Sequence, residues 1–228
     1  MKYPGKELEI FDKAIIWRKY IHALTKRYIK DNILEVGAGF GSFTKSYSNN
    51  SQSIILTDLD EENIKILKKN FSEKKNIAIA NKRINELEGK FNTIIYLNVL
   101  EHIQNDFDEI NSALNKLNSD GHLIILVPAH QNLFSKFDEA VGHCRRYNIN
   151  FFKLNKFKNA EIQELLFLDL FGYILYFLNK IFFSEEIYPS KFKIFLWDKI
   201  FSPITIILDF FTRYKFGKNI LCIYKKIG

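Results

Sequence analysis

Residues 33–44 read Ile-Leu-Glu-Val-Gly-Ala-Gly-Phe-Gly-Ser-Phe-Thr: an apolar strand candidate, a glycine turn, then the start of a helix. Gly37, Gly39 and Gly41 carry no Cβ to hold a ligand away from the strand end, and they admit positive φ. A dinucleotide fingerprint of the Gly-x-Gly-x-x-Gly type needs glycine at position 42, where this chain has Ser42. Glu35, two residues before the first glycine, suits a cationic amino group better than a pyrophosphate. Further on, the run Ile54 to Thr57 ends in Asp58, an acid placed to accept both hydroxyls of a ribose. Asp60 fits the N-cap of the next helix, with Glu61 and Glu62 in its first turn, which frees Asp58 for a ligand. Turn and acid together favour S-adenosylmethionine over NAD. A tight strand-to-helix turn with no ligand is the alternative.

These residues must be held by a sheet. Strand candidates at 33–37, 53–58, 76–80, 91–97 and 121–127 alternate with helical segments, the pattern of right-handed βαβ units in a parallel sheet covered on both faces. Such sheets bind ligands at the carboxyl ends of their strands, which gathers the glycine turn, Asp58, residues 98–102 and Pro128 on one edge. Apolar residues at helical spacing over 9–29 predict one amphipathic helix before the first strand. A short helix near 151–158, a strand near 161–168 and a last strand at 219–226 complete the pattern, and the polar end of that last strand suits an antiparallel partner. The expected architecture is one Rossmann-like α/β domain over 1–228, its seven-stranded sheet mostly parallel with an antiparallel last strand. Residues 1–30 read as an N-terminal helical extension and 170–217 as an apolar, aromatic helical insertion or cap.

A chain of 228 residues can bury one substantial core. Its net charge of +7 is uneven: residues 151–228 hold 12 Lys+Arg against 7 Asp+Glu, and 20 of the 35 aromatic residues. A basic, aromatic-rich segment points to an anionic membrane surface or nucleic acid more than to a small acidic metabolite. The apolar run from Leu165 to Leu178 is interrupted by Asp169 and is shorter than the roughly 20 residues of a bilayer span. Phe192, Ile194, Phe195, Trp197 and Phe201, interleaved with Lys191, Lys193 and Lys199, suit a membrane surface, a cover over a lipid chain, or a lid or dimer face. Cys144 and Cys222 make no disulfide framework and the first residues lack an apolar signal stretch, so the cytoplasm is expected, with peripheral contact at the inner membrane face. No His or Cys pair shows ligand spacing, so no metal is expected. Nucleic acid is disfavoured, since the basic excess is modest and no Asn-Pro-Pro-Tyr-type motif occurs. The oligomeric state stays open.

Three stretches carry a likeness: Leu34-Glu35-Val36-Gly37-Ala38-Gly39-Phe40-Gly41, then Leu97-Asn98-Val99-Leu100-Glu101-His102-Ile103, then Val127-Pro128-Ala129 running on to Gly142-His143-Cys144-Arg145-Arg146-Tyr147. With them the chain resembles a class I S-adenosylmethionine-dependent methyltransferase over nearly all of residues 30–228. The last two are similar to those of a bacterial subgroup found beside genes for cell-envelope glycans. The resemblance implies that Glu35, Gly37, Ala38, Gly39 and Gly41 surround the methionine and ribose portions of the cofactor. It places Asp58 and Leu59 at the ribose, and Asn98, Val99 and His102 beside the methionine. The family often has an acid near the adenine, whereas this chain offers Ala80, Asn81, Lys82 and Arg83, with Asn81 as the candidate.

Methyl transfer from a sulfonium is an in-line displacement, so the enzyme must mainly align nucleophile, methyl carbon and sulfur. A hydroxyl or amine acceptor must also lose a proton. His143 is the preferred base, with Asp138 and Glu139 upstream to orient its imidazole; His130, two residues after Pro128, and His102 are the other candidates. Arg145 and Arg146 could clamp a phosphate or carboxylate, or could pair with Asp138 and Glu139 to pin the loop. Asp169 would either face the same cavity or cap a helix. The expected function is O-methylation of a cell-envelope glycan or polyprenyl-linked intermediate. The alternatives are a small soluble metabolite or quinone-type ring as acceptor, and a cofactor-binding scaffold without turnover.

Overall fold

The computed structural model describes Pro4 and residues 7–48, 53–182 and 188–228. The chain opens with two short helices, α1 (Glu7–Phe11) and α2 (Ile15–Thr25), before β1 (Ile33–Val36). It continues through α3 (Thr44–Tyr47), β2 (Ile54–Thr57), α4 (Glu61–Asn70), β3 (Ile77–Ala80), β4 (Phe91–Leu97), α5 (Asp106–Asn115) and β5 (Leu117–Pro128). The last third comprises α6 (Lys136–Val141), α7 (Ile149–Leu154), β6 (Ala160–Leu168), α8 (Leu170–Phe182), α9 (Lys191–Leu196), α10 (Ser202–Phe211) and β7 (Asn219–Lys226).

The strands form one sheet in the order β3-β2-β1-β4-β5-β7-β6. β7 runs antiparallel to both of its neighbours, and the other pairs are parallel. Val36 of β1 registers with Thr57 of β2 on one side and Tyr96 of β4 on the other, so the carboxyl ends of these three strands are level. Strand order reverses between β1 and β4, which opens the crevice where ligands of such sheets bind. The apolar run at 123–127 of β5 follows from burial on both faces. On one face Leu34, Ile94, Tyr96, Leu123 and Ile125 pack with α5 and α7; on the other Ile33, Ile95, Ile124 and Leu126 pack with α2 and α4.

The single helix expected over 9–29 is broken at 12–14, which is a correction to the periodicity. Asp198, far along the chain, supplies the physical reason: its Oδ2 accepts from the Ile15 N–H at 3.1 Å and its Oδ1 from the Trp17 N–H at 3.0 Å, capping α2 where the local sequence offers only Ala14. Asp209 of α10 does the same for α8, accepting from the Asp169 and Leu170 amides at 2.9 and 3.0 Å, and also takes the Tyr20 hydroxyl at 2.9 Å. The helices between β6 and β7 are thereby fastened to the N-terminal helices by buried carboxylates. The helix expected at 151–158 spans Ile149–Leu154, begun by the Asn148 side chain. β5 starts at Leu117, before the expected 121, because a register shift opposite Phe91 and Thr93 lets the strand run on through the polar turn.

Candidate active site

The glycine turn leaves β1 between the segment that follows β4 and the end of α4. Gly37 has φ +64°, and a Cβ there would meet Val99 Cγ2 at 2.6 Å; at Gly41, φ +72°, a side chain would collide with the Phe71 ring. Neither position tolerates another residue. The Ala38 amide donates to Thr57 O at 2.9 Å, tying the turn to β2. Asp58 Oδ2 accepts from the Gly39 amide at 3.0 Å and Oδ1 from the Asp60 amide at 2.9 Å. Burial raises the pKa of this carboxyl against the pull of those amides. Asp60 caps α4, accepting from the Glu62 and Asn63 amides at 2.7 and 3.2 Å, as its spacing suggests. Asn98, at φ +54°, donates its amide to Leu126 O at 2.8 Å and turns the chain out of β4.

Glu35 is buried at the base of this turn, where its Oε2 accepts from Thr44 Oγ1 at 2.7 Å and from the Tyr47 hydroxyl. Burial pushes its pKa up to about 7 despite these two donors.

A second wall is built from the 3₁₀ turn Leu100–His102 and the loop around α6. Asp138 is its centre. The carboxylate takes Arg146 Nε and Nη2 at 2.8 and 3.0 Å, His143 Nδ1 at 2.8 Å, and the Ser135 amide and hydroxyl at 2.9 and 3.0 Å. Burial alone would raise its pKa, but the bonds from His143 and Arg146 outweigh that and hold it at about 2. Arg146 also donates to the Tyr176 hydroxyl at 2.9 Å and lies over that ring, 4.6 Å from its centre. His102 Nδ1 is 3.2 Å from Gly142 O, and burial, with His143 nearby, lowers its pKa to about 4. Glu101, entirely buried, has its pKa raised to about 8 by burial.

Both walls line one cavity of roughly 1910 Å³. Of the residues singled out in the sequence, Glu35, Gly37, Ala38, Gly39, Asp58, Leu59, Asn98, Val99, His102, His143 and Arg146 line it. Several do not, and these are corrections. His130 is turned aside by its own backbone, φ +66°; its Nε2 meets Gly217 O at 2.9 Å and its ring stacks on Phe167 with centroids 5.2 Å apart. Arg145 is committed elsewhere, to Asp106 Oδ2 at 2.7 Å and Gln104 O at 2.9 Å. Arg146 reaches the cavity with its guanidinium already in the Asp138 fork, so loop pinning accounts for Asp138 and Arg146, whereas Glu139 is exposed. Gly41 acts through packing against Phe71, and Asp138 through His143 and Arg146. Asn81 donates to Asp58 O at 3.0 Å from outside the cavity wall, where Lys82, Arg83 and Asn85 stand instead. Asp169 caps α8 through the Gly172 amide at 2.9 Å and binds Thr205 and Trp197, both within 3.2 Å.

Other lining residues carried no sequence signal, Arg18 and Trp17 of α2 and Tyr176 of the cap, whereas Ile194 and Trp197 come from the aromatic stretch read as a cover or lid. Only the long-range contacts of α2 with the cap bring them to the same cavity. Glu101 was hidden by its place beside His102, since adjacency in sequence says nothing about a histidine brought near it from another loop.

A nucleoside-bearing sulfonium suits the first wall: a turn whose backbone lies bare, a carboxylate at the end of β2 with lone pairs beyond the two its amides use, and a buried acid under the turn. Comparison with known proteins agrees. Residues 13–162 match the family model described as a methyltransferase domain. The ribosomal RNA small subunit methyltransferase A of Wigglesworthia glossinidia brevipalpis is 38% identical over 79 residues, 35% of this chain and 30% of that enzyme, so the match spans less than a third of that relative. Among solved structures, the N-methyltransferase NodS from Bradyrhizobium japonicum WM9 superposes with a TM-score of 0.57 at 12% identity, over 96% of this chain and 99% of that one. An S-adenosylmethionine-dependent methyltransferase from Clostridium acetobutylicum ATCC 824 gives 0.61 at 16% identity, over 96% and 97% of the two chains. At such identities the likeness is one of fold, and the family match carries the assignment: the chain belongs to the methyltransferase domain family and is a class I S-adenosylmethionine-dependent methyltransferase.

Proposed function

We propose that this enzyme methylates a hydroxyl of a lipid-linked cell-envelope intermediate, a glycan or polyprenyl-linked compound, at the cytoplasmic face of the membrane. The observation that carries the proposal is the cap, which is a wall of the cavity on its inner side and an apolar, basic surface on its outer side. Phe192, Phe195, Ile207, Phe210, Phe211 and Phe216 are all more than half exposed. Exposed Lys191, Lys193, Arg213 and Lys215 are interspersed among them, the composition of a surface that sits on anionic lipid. Among the described residues no helix is long and apolar enough to cross a membrane, so the contact proposed is peripheral. The cavity also exceeds the roughly 300 to 1,000 Å³ of a small-ligand pocket, leaving room for an acceptor beside the cofactor.

When bound, S-adenosylmethionine supplies a methyl group on a positively charged sulfur. Glu35 is proposed to face its amino group, the Gly37 to Gly39 backbone to pass along its methionine and ribose, and Asp58 to accept the ribose hydroxyls. Asn98 and Val99 close the methionine side. His143, held by Asp138 through Nδ1, presents Nε2 as the nitrogen with a free lone pair for the acceptor's proton. Arg146 acts by fixing Asp138.

A soluble acceptor, a small metabolite or quinone-type ring, is the second reading. It is favoured by the fastening of the cap through Asp169, Asp198 and Asp209, which suits a lid over a closed site. Transfer of radiolabelled methyl into an extract of the source cells, fractionated into lipid, aqueous and RNA pools with Asp58→Ala as control, separates the two. Label in lipid, lost in the variant, is the expected outcome. Label confined to the aqueous pool selects the second, and label in RNA overturns both.

A further inference from the structure

Glu101 is fully buried, and among the described residues no other residue donates a hydrogen bond to either of its carboxylate oxygens. Native proteins leave few buried polar atoms in that state, and an absent ligand is one cause. The nearby Arg146 guanidinium is engaged by Asp138. What stands around Glu101 instead is imidazole. His102 follows it on the 3₁₀ turn after β4, and His143 arrives from the loop after α6, its Nε2 at 3.8 Å from Glu101 Oε1. One ligand atom from each of the three lies within 4.8 Å of the others.

The hydrogen bonds around the two rings settle which nitrogens carry lone pairs. His143 Nδ1 is beside the Asp138 carboxylate, so it holds the proton and Nε2 the lone pair. His102 Nδ1 is beside the Gly142 carbonyl, which makes Nε2 the lone-pair nitrogen there too. A carboxylate behind a histidine, as Asp138 is behind His143, is the usual outer support of a metal-binding imidazole. We propose that Glu101, His102 and His143 bind a divalent first-row cation on the wall of the cavity. Two imidazoles and one carboxylate suit zinc, cobalt or manganese better than calcium or magnesium, which prefer oxygen. Around a tetrahedral ion with bonds of about 2.0 to 2.1 Å the ligand atoms stand roughly 3.4 Å apart, so the three groups close by an ångström or so on binding.

All three residues line the cavity, so an ion they hold has its open position toward the acceptor. This role rests on the proposed methyl transfer to oxygen, while the binding itself does not. A hydroxyl bound there through its oxygen gives up its proton to solvent more readily. The oxygen then forms its bond to the methyl carbon as the carbon–sulfur bond breaks, the electron pair remaining on sulfur. Glu101, His102 and His143 would thus act as a unit in place of His143 alone.

The test is titration of the chelator-treated full chain with Co²⁺, followed by visible absorption, and with Mn²⁺, followed by electron paramagnetic resonance. S-adenosylhomocysteine binding is measured in parallel. One equivalent of Co²⁺ is expected, displaced by Zn²⁺, with affinity reduced at least about tenfold in the nearly isosteric Glu101→Gln and in His143→Ala. Broadening of the His102 and His143 ring resonances by Mn²⁺ in the unaltered chain gives a readout independent of any variant. Absence of saturable binding, unbroadened resonances, or affinity unchanged in folded Glu101→Gln overturns the site. Failure of S-adenosylhomocysteine to bind would instead strike the cofactor assignment, so the two failures are distinguishable.

Discussion

The two walls of the cavity are built on different principles. The glycine-turn wall, proposed to hold the cofactor, is built at the ends of two adjacent strands: a turn and an acid, with the amides of Gly39 and Asp60 donating to the Asp58 carboxylate. The second wall, proposed to face the acceptor, is assembled at longer range, where Asp138 organises His143 and Arg146, Arg146 engages Tyr176 of the cap, and Tyr147 reaches back to Asp106 at 2.7 Å. A wall made from strand ends comes with the sheet. A wall made from buried ions has to be stabilised by its own interactions, and can differ between enzymes without disturbing the sheet.

The most severe break in this contrast is Asp138→Ala. Removing one partner of a buried pair leaves the Arg146 charge uncompensated, and a loss of about 3 to 5 kcal/mol is expected in denaturant unfolding. S-adenosylhomocysteine affinity of the protein that remains folded should stay within about threefold, because the cofactor wall does not depend on that pair. An equal loss of affinity would show that the walls are one unit.

Glu35 gives the next effect. Its carboxyl is neutral in folded and unfolded chain below the ordinary value of 4.5; between there and about 7 only the unfolded chain ionises, so stability falls as pH rises through that window. The expected fall is about 3 kcal/mol, absent from Glu35→Gln, and unfolding curves at pH 4.5 and 7.5 would measure it. If the amino group of the cofactor binds there, complex formation near pH 6.5 releases a proton, visible as buffer-dependent heat in calorimetry.

Asp58→Ala sharpens the contrast from the other side. Cofactor-product affinity is expected to fall about 100-fold, roughly 2.8 kcal/mol, with stability lowered by about 1 kcal/mol from the two lost amide bonds. The smallest effects belong to Arg145→Ala and His130→Phe, whose side chains serve packing outside the cavity. Each should change methyl transfer by less than about threefold, measured at saturating cofactor. A hundredfold loss in either would return it to the catalytic group.

The same division explains what the sequence disclosed. β1, β2, β3 and β4 lie within one residue of their expected bounds, since short, mostly apolar runs closed by turn residues mark a strand whether it is central, as β1 is, or at the sheet edge, as β3 is. The cap formed by Asp60 was legible too, because a cap is decided within three residues. Arg145 and His130 were not, for their partners Asp106 and Gly217 stand 39 and 87 residues away. Glu101 escaped for the opposite reason: what marks it is a missing partner, and sequence carries no trace of a bond that is not made.

The carboxylate that starts α2 belongs to residue 198, and the one that holds Tyr20 belongs to residue 209. On a ribosome, which delivers the chain from its amino end, the first amides of α2 must rely on water until almost the whole polypeptide has emerged. The sheet from β1 to β5 can pair in the meantime, so a nascent chain cut short before residue 198 is expected to present a formed crevice with one side bare, a state with apolar surface for a chaperone to hold.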